Sequence, residues 1–265
     1  MISIIIPCYN SGEYLKEAIN SCYNSKFKEI EIIVVNDGST DKFTLDILND
    51  YGNQNIKILE QPNKGAAAAR NFGVSHAKGE FLLFLDSDNI IRPDYLTKSI
   101  EVMVNNPSIA VVYSKPFFFG GDAGSNRFEV RDFLFDSLLA GNYIDMCSLV
   151  RKKFFLDLGG FDENRELFFG EDWELWIRIS QAGGEFYFLN EVLFEYRIRR
   201  GSLIDQVDFQ KRQTTLKYLG SKHGYLIHYH YRQYFRILEK IQQNPFSYFL
   251  RILYFKYILK KPLIK

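Results

Sequence analysis

The sequence holds only three cysteines in 265 residues, Cys8, Cys22 and Cys147, an odd number with no paired metal-ligand spacing. Neither a disulfide framework nor a zinc knuckle fits them, and a reducing cytoplasm is their simplest home. Apolar runs long enough to span a bilayer are missing, and no charged leader precedes an apolar segment at the N-terminus, so the reading expects neither secretion nor a transmembrane anchor. No Gly-x-Gly-x-x-Gly follows the first apolar stretch, which argues against a dinucleotide oxidoreductase, and there is no Walker-type loop. Histidine is scarce as well. His228 and His230 form a pair, but tyrosines flank it and no carboxylate or cysteine set stands nearby, so a metal site there is not favoured.

Net charge is also nearly absent, at +1, but the balance conceals an asymmetry. From Lys211 to Lys265 there are 12 Lys and Arg and one acidic residue, Glu239, a net of +11, which leaves 21 basic and 31 acidic residues in the first 210. With 46% hydrophobic residues the chain can bury a full core, and its length suits one large α/β domain with an appendage.

What is present is an alternation of apolar strands and amphipathic helices. Ser3–Ile6 reads as a strand ended by Pro7, with Asn10 as a helix cap and Glu13 at capping-box spacing. Ile30–Val35, Ile56–Leu59, Phe81–Leu85 and Ala110–Phe119 read as further strands, with helices between them. A strand at 146–150, a helix at 152–158, an amphipathic helix opened by Glu171 and Asp172, and two strands at 186–189 and 192–196 follow. Short loops in a β-α-β-α order imply a mostly parallel sheet with helices on both faces. Several strands stop at polar clusters, and ligands of open α/β sheets collect at that rim. Phe81–Leu85 runs straight into Asp86-Ser87-Asp88, whose two carboxylates share a side if the backbone stays extended. Two hard oxygen donors suit Mg²⁺ or Mn²⁺ when a diphosphate completes the shell. An isolated Asp-x-Asp is more simply a capped turn, and only its companions raise it above that.

Those companions are Ile4-Ile5-Ile6-Pro7-Cys8-Tyr9-Asn10, Val35-Asn36-Asp37-Gly38-Ser39-Thr40-Asp41, Asn63-Lys64-Gly65 with Arg70-Asn71, Gly160-Phe161-Asp162, Gly170-Glu171-Asp172-Trp173, and Tyr196-Arg197 with Gly201-Ser202. In this order and at these separations the chain resembles the family-2 glycosyltransferases of the GT-A fold, a Rossmann-like α/β architecture. The resemblance implies a catalytic domain over 1–204, with a nucleotide-binding half at 1–119 and an acceptor-binding half at 120–204. It implies a nucleotide-diphospho-sugar donor, UDP-linked, held by Pro7, Tyr9, Asn10, Asp37, Lys64, Arg70, Asp86, Ser87 and Arg199. Tyr9 would stack on the base and Asp37 accept its N3 proton, while each has a plainer reading as a rim aromatic and a turn cap. Asp88 would ligate Mn²⁺ or Mg²⁺ directly, with Asp86 on the ribose or the metal's waters. Asp172 would be the catalytic base of an inverting displacement, Glu171 would orient the acceptor or the helix, and Trp173 would be either an acceptor platform or a core residue.

One position departs from the family pattern. Relatives often carry Tyr-Arg-x-His near the end of the domain, and here Arg199 stands at the histidine. Arginine cannot ligate a metal, so the expectation is a direct contact with the diphosphate. The stretch 205–265 reads as a helical extension rich in Lys, Arg and interfacial aromatics, suited to an anionic membrane surface or to self-association, and not to nucleic acid. The acceptor expected is a glycan or lipid-linked glycan of a bacterial surface polysaccharide, handled in the cytoplasm or at the inner face of the membrane. The competing readings are a non-catalytic nucleotide-sugar or glycan-binding module on the same fold, and a nucleotidyltransferase, whose triphosphate loop is missing.

Overall fold

The β-branched runs of the first 85 residues form the centre of one sheet in the computed structural model, which describes residues 1–52, 56–121, 128–199, 201–202 and 204–259. Ile2–Cys8 (β1), Ile30–Asp37 (β2), Lys57–Gln61 (β3) and Phe81–Phe84 (β4) are linked by the helices Gly12–Tyr23 (α1), Lys42–Gly52 (α2) and Ala66–Ser75 (α3). Ile90–Ile91 (β5), Tyr95–Asn105 (α4), Ile109–Phe119 (β6), Phe135–Ala140 (α5), Leu149–Arg151 (β7), Lys152–Asp157 (α6), Glu171–Gln181 (α7) and Glu185–Arg197 (β8) complete the α/β part. The sheet order is β3-β2-β1-β4-β7-β6-β8-β5. Pairing is parallel from β3 to β4 and between β6 and β8, and antiparallel on both sides of β7 and at β5. Strands covered on both faces need apolar side chains throughout, and Ile2, Ile4, Ile5, Ile6, Val34, Val35 and Leu82–Leu85 are all fully buried.

The alanine run of α3 lets that helix approach β1 and β2 closely. A Cβ on its Gly73 would stand 2.5 Å from Ile5 Cγ2, so the helix can lie this near only with glycine there.

Four local expectations are corrected. Pro7 does not end β1 but pairs with Val35, one residue before the strand's end at Cys8. Its missing N–H is harmless because Ile5, two residues earlier, accepts from Leu85, so Pro7 points to the same side, where β4 has already stopped. Asn10 does not cap α1, whose flanking residue is Ser11; Asn10 sits at φ 47° and its Oδ1 accepts from Thr40 and Asp41 N–H, joining the ends of β1 and β2. The stretches 186–189 and 192–196 are one strand, because β6 pairs across both while Asn190 and Glu191 bulge out between Leu189 and Val192. The strand expected at 146–150 is confined to Leu149–Arg151.

The expected loop at 120–126 lies outside the described residues from Asp122 onward, as do Arg200 and the final residues 260–265. After β8 the chain is helical, with Phe209–Gln243 (α8) and Pro245–Leu253 (α9) followed by a π-helical turn at Tyr254–Ile258. Two compact units result, Met1–Thr215 and Leu216–Lys265, the division falling within α8. Among the described residues no helix is long and apolar enough to cross a membrane.

Candidate active site

Three strand ends and one helix start build the site. At the end of β2, Asp37 is buried and its carboxylate is heavily used: Oδ1 accepts from Gln61 Nε2 at 2.7 Å and Lys64 N at 2.8 Å, and Oδ2 from Gly65 N at 2.9 Å. These bonds fold the loop after β3 back onto β2. Gly38, at φ +72°, allows the approach, since a Cβ there would meet Asn63 N at 2.6 Å. A carboxylate has about four acceptor positions, so Asp37 works first as the turn cap and keeps room for one more donor. Beside it Tyr9 is half exposed, with a free ring at the rim, and the Lys64 side chain is exposed.

The backbone does not stay extended after β4. It turns at Ser87 and Asp88, with Asn89 N–H donating to Asp86 C=O at 3.0 Å, so the two aspartates find separate partners. Asp86 Oδ1 accepts from Arg70 Nη2 at 2.6 Å, and Asp88 Oδ2 from Arg199 Nε at 2.6 Å. Ser87 is buried and shares a hydrogen bond of 2.8 Å with Ser11 Oγ, which in turn lies 3.4 Å from Cys8 Sγ, so it anchors the turn to the end of β1.

Arg70, expected to face the nucleotide, is bonded within the protein at two carboxylates. Its side chain is only 5% exposed; Nη2 holds Asp86 while Nη1 holds Glu171 Oε1 at 2.7 Å. Both carboxylates raise its already high pKa against the cost of burial, so it is a permanent cation. Through it the start of α7 is drawn beside the Asp86–Asp88 turn.

At that start, Asp172 Oδ1 accepts from Trp173 N–H at 2.7 Å and Oδ2 from Asn142 Nδ2 at 2.9 Å. Burial pushes its carboxyl well above the ordinary range, and the charges of Glu171 and Asp145 add to this, against Trp173 N–H and Arg70. Glu171 is taken by Arg70. Of the two readings of Trp173, the structure holds the core one: the ring is 8% exposed and Nε1 donates to Leu138 C=O at 2.5 Å.

Two residues that no motif contains, Asp145 and Asn142, belong to this site, and so does Arg197, which the Tyr196-Arg197 motif contains without a role. Asp145 lies between α5 and β7, accepts from Cys147 N–H at 2.8 Å, and is pushed up to about 7 by burial and the Asp86 charge. Asn142 holds Asp172. Arg197 donates Nε to Asp88 C=O and Nη2 to Glu17, and stacks over Tyr14 and Phe119, which fixes the end of β8 against the turn. The sequence signal of Asp145 and Asn142 is a polar residue amid apolar ones, and that does not name a partner.

Asp86, Asp88, Asp145, Glu171 and Asp172 thus stand against the guanidinium groups of Arg70 and Arg199, while that of Arg197 is paired with Glu17. Burial raises Asp88 as well, with Asp86 adding to the shift and Arg199 opposing it. Asp86 and Asp88, 34% and 16% exposed and each paired with a guanidinium, present hard carboxylate oxygens of the kind a divalent cation takes. No group of three or more His, Cys, Asp or Glu suited to a metal occurs among the described residues, so a cation would rely on oxygens from a bound ligand.

A sequence model described as "Glycosyl transferase family 2" matches residues 3–159. Chondroitin synthase of Pasteurella multocida (strain Pm70) is 29% identical over 218 residues, covering 80% of this chain and 22% of that protein. The chain therefore spans about a fifth of that relative's length. Among solved structures, S. aureus TarS in complex with UDP-GlcNAc matches with a TM-score of 0.67 and 24% identity over 80% of this chain and 64% of that one. The mannosyltransferase PcManGT from Pyrobaculum calidifontis, in complex with GDP-Man and Mn²⁺, matches with a TM-score of 0.61 and 18% identity over 76% and 58%. At these identities the structural likeness concerns the fold, the GT-A arrangement of a central sheet flanked by helices.

Proposed function

The chain belongs to glycosyl transferase family 2, and on that premise we propose that it is a divalent-metal-dependent, inverting enzyme that moves a sugar from a nucleoside diphosphate, UDP for preference, to a hydroxyl of a glycan or lipid-linked glycan. The observation that carries this reading is the Arg70 bridge, which sets the helix start bearing Asp172 beside the Asp86–Asp88 turn. A base and a pair of metal-type carboxylates at one rim are what transfer from a nucleotide sugar requires. Support for the donor comes from the structural neighbours, whose ligands are UDP-GlcNAc in one and GDP-Man with Mn²⁺ in the other.

In this mechanism Tyr9 stacks on the base, and the remaining acceptor capacity of Asp37 takes the base N–H. Asp88, with Asp86 beside it, would hold Mg²⁺ or Mn²⁺, and that ion would supply Lewis-acid stabilisation of the leaving diphosphate. Asp172 takes the proton of the acceptor hydroxyl as its oxygen attacks the anomeric carbon from the face opposite the diphosphate. The sugar–phosphate bond breaks and the configuration inverts. Arg199 leaves Asp88 for the diphosphate when the donor arrives, adding a second cation to the leaving group. Pro7, Asn10, Ser87 and Lys64 shape the nucleotide pocket around these contacts. The catalytic part comprises residues 1–204, its nucleotide half 1–119 and its acceptor half 120–204, with 205–265 as an extension.

A thermal-shift screen of UDP, GDP and their sugars with and without Mn²⁺ tests the donor. Stabilisation follows RT ln(1 + [L]/Kd), so a ligand at 100 times its Kd adds about 2.7 kcal/mol. UDP with Mn²⁺ should shift the melting temperature most, and Arg199→Ala should lower that affinity about tenfold. No response to any nucleoside diphosphate would remove the donor reading.

The extension is proposed to bind an anionic membrane, which would place lipid-linked precursors of a bacterial surface polysaccharide at the site. Within the second unit Phe246, Phe249, Tyr257 and Ile258 are exposed on helical segments whose charged residues after Glu239 are all basic. Apolar aromatics with a cationic face are the chemistry of helices that lie in a membrane interface. Vesicles containing phosphatidylglycerol should retain the protein, neutral vesicles should retain far less, and serine at Phe246, Phe249 and Tyr257 should abolish retention. Equal binding to both vesicle types would remove the anionic preference, and dimerisation that the same changes disrupt would instead assign this surface to self-association.

A further inference from the structure

The segment that runs from α5 to β7 is fastened to α7 at two points. Trp173 Nε1 donates to Leu138 C=O at 2.5 Å and Trp176 Nε1 to Ile144 C=O at 3.2 Å, both indoles being buried. Between these fasteners stands Asn142. Its Oδ1 accepts from Ile144 N–H at 3.1 Å, which settles the orientation of the amide, and its Nδ2 donates to Asp172 Oδ2 at 2.9 Å. A short side chain bonded to its own backbone two residues on is an Asx turn, a locally rigid unit. The amide therefore meets Asp172 from a turn held between two tryptophan contacts.

We propose that Asn142 is a positioning residue for Asp172, fixing the rotamer of its carboxylate and holding it ionised for proton acceptance. The inference rests on the reading of Asp172 as the base. The chemistry of the donor matters here. A Lys or Arg at 142 would pair with Asp172 and quench its basicity, whereas an amide stabilises the anion without cancelling its charge. Such help is needed because the groups facing Asp172 are mostly of its own sign: Glu171 from α7 and Asp145 from the same connection as Asn142, opposed by Arg70 from α3. The backbone N–H of Trp173 serves Oδ1, so Asn142 is the neutral side-chain donor at the other oxygen.

The test is a carbon-13 titration of the full chain labelled at aspartate Cγ, with the Asp172 signal identified by its loss in Asp172→Asn. Removing the donor with Asn142→Ala should raise the Asp172 midpoint by about one pH unit, a tenfold change in proton affinity. The isosteric Asn142→Leu should do the same and carries the test if the alanine variant does not fold. Asn142→Ser, which retains a hydroxyl donor, should recover part of the shift. The acid limb of sugar transfer should move to higher pH in step, while UDP affinity stays as in the native chain. A midpoint unchanged in a folded Ala or Leu variant overturns the proposal, as does a fall in activity with an unmoved limb. The base reading fails separately, if Asp172→Asn still transfers sugar, and that result leaves the titration outcome readable on its own.

Discussion

Asp172→Asn is expected to lower sugar transfer by about 10²–10⁴-fold, the usual contribution of a positioned general base, while nucleotide affinity is kept. The same change should make the protein more stable. Asp172 is crowded by Glu171 and Asp145 and pushed well above the ordinary carboxylate range by burial. A neutral amide of the same shape ends that repulsion, and this outweighs the one hydrogen bond lost where its Nδ2 faces Asn142 Nδ2 or Trp173 N–H. The sign with pH follows from the direction of the shift. A carboxyl raised in the folded state contributes stability that is fully present below the unfolded value and is lost as pH rises through the folded one. The stabilisation by Asn therefore grows with pH across that window and vanishes in acid, where the native carboxyl is already neutral. Kinetics and urea unfolding at two pH values check both halves. Full transfer by the Asn variant would dismiss Asp172 as the base, and an unchanged stability would dismiss the crowding. Gain of stability on loss of activity is the mark of a group held in an unfavourable place for its chemistry.

The opposite signature is expected at Arg70. Arg70→Met should cost about 3–5 kcal/mol, because removing one partner of a buried pair leaves uncompensated charge behind. Here two carboxylates are stranded, Asp86 and Glu171, and the guanidinium is 5% exposed, so solvent cannot replace it. Arg70→Lys should recover little, since an ammonium is a compact charge and lacks the planar fork that reaches both acids. Combining Arg70→Met with Asp86→Asn and Glu171→Gln should recover most of the stability and none of the transfer. Urea unfolding of the three variants measures this, and a cost below about 1 kcal/mol for Arg70→Met would reduce the bridge to an ordinary surface pair.

The two results also separate what was readable from what was not. The strands show their polar ends because apolar and polar residues are neighbours in sequence, and so Tyr9, Asp37 and Asp86 are visible as rim residues, while Asp172 shows as the acidic start of an amphipathic helix. The capping-box spacing at Asn10 and Glu13 was equally visible and misled, because the Asn10 carboxamide found two backbone donors beyond β2, 30 and 31 residues away. Trp173 and Trp176 carry helical spacing, yet only the structure shows their indoles fastening the connection that bears Asn142. The gap between 189 and 192 read as a break in the strand, when pairing along β6 carries straight past it.

By itself, then, the sequence determined the alternation of strand and helix, the family, and the rim positions of the carboxylates, since all of these are written in local pattern. Which charge meets which was decided only by tertiary structure. Arg70 answers Asp86 and Glu171, Arg199 answers Asp88, and Asn142 answers Asp172, over separations of 16, 101, 111 and 30 residues. No periodicity reports such partners. The sheet order brings the ends of β4 and β8 and the start of α7 to one rim, and there the cost of burying a charge without a partner selects the pairs.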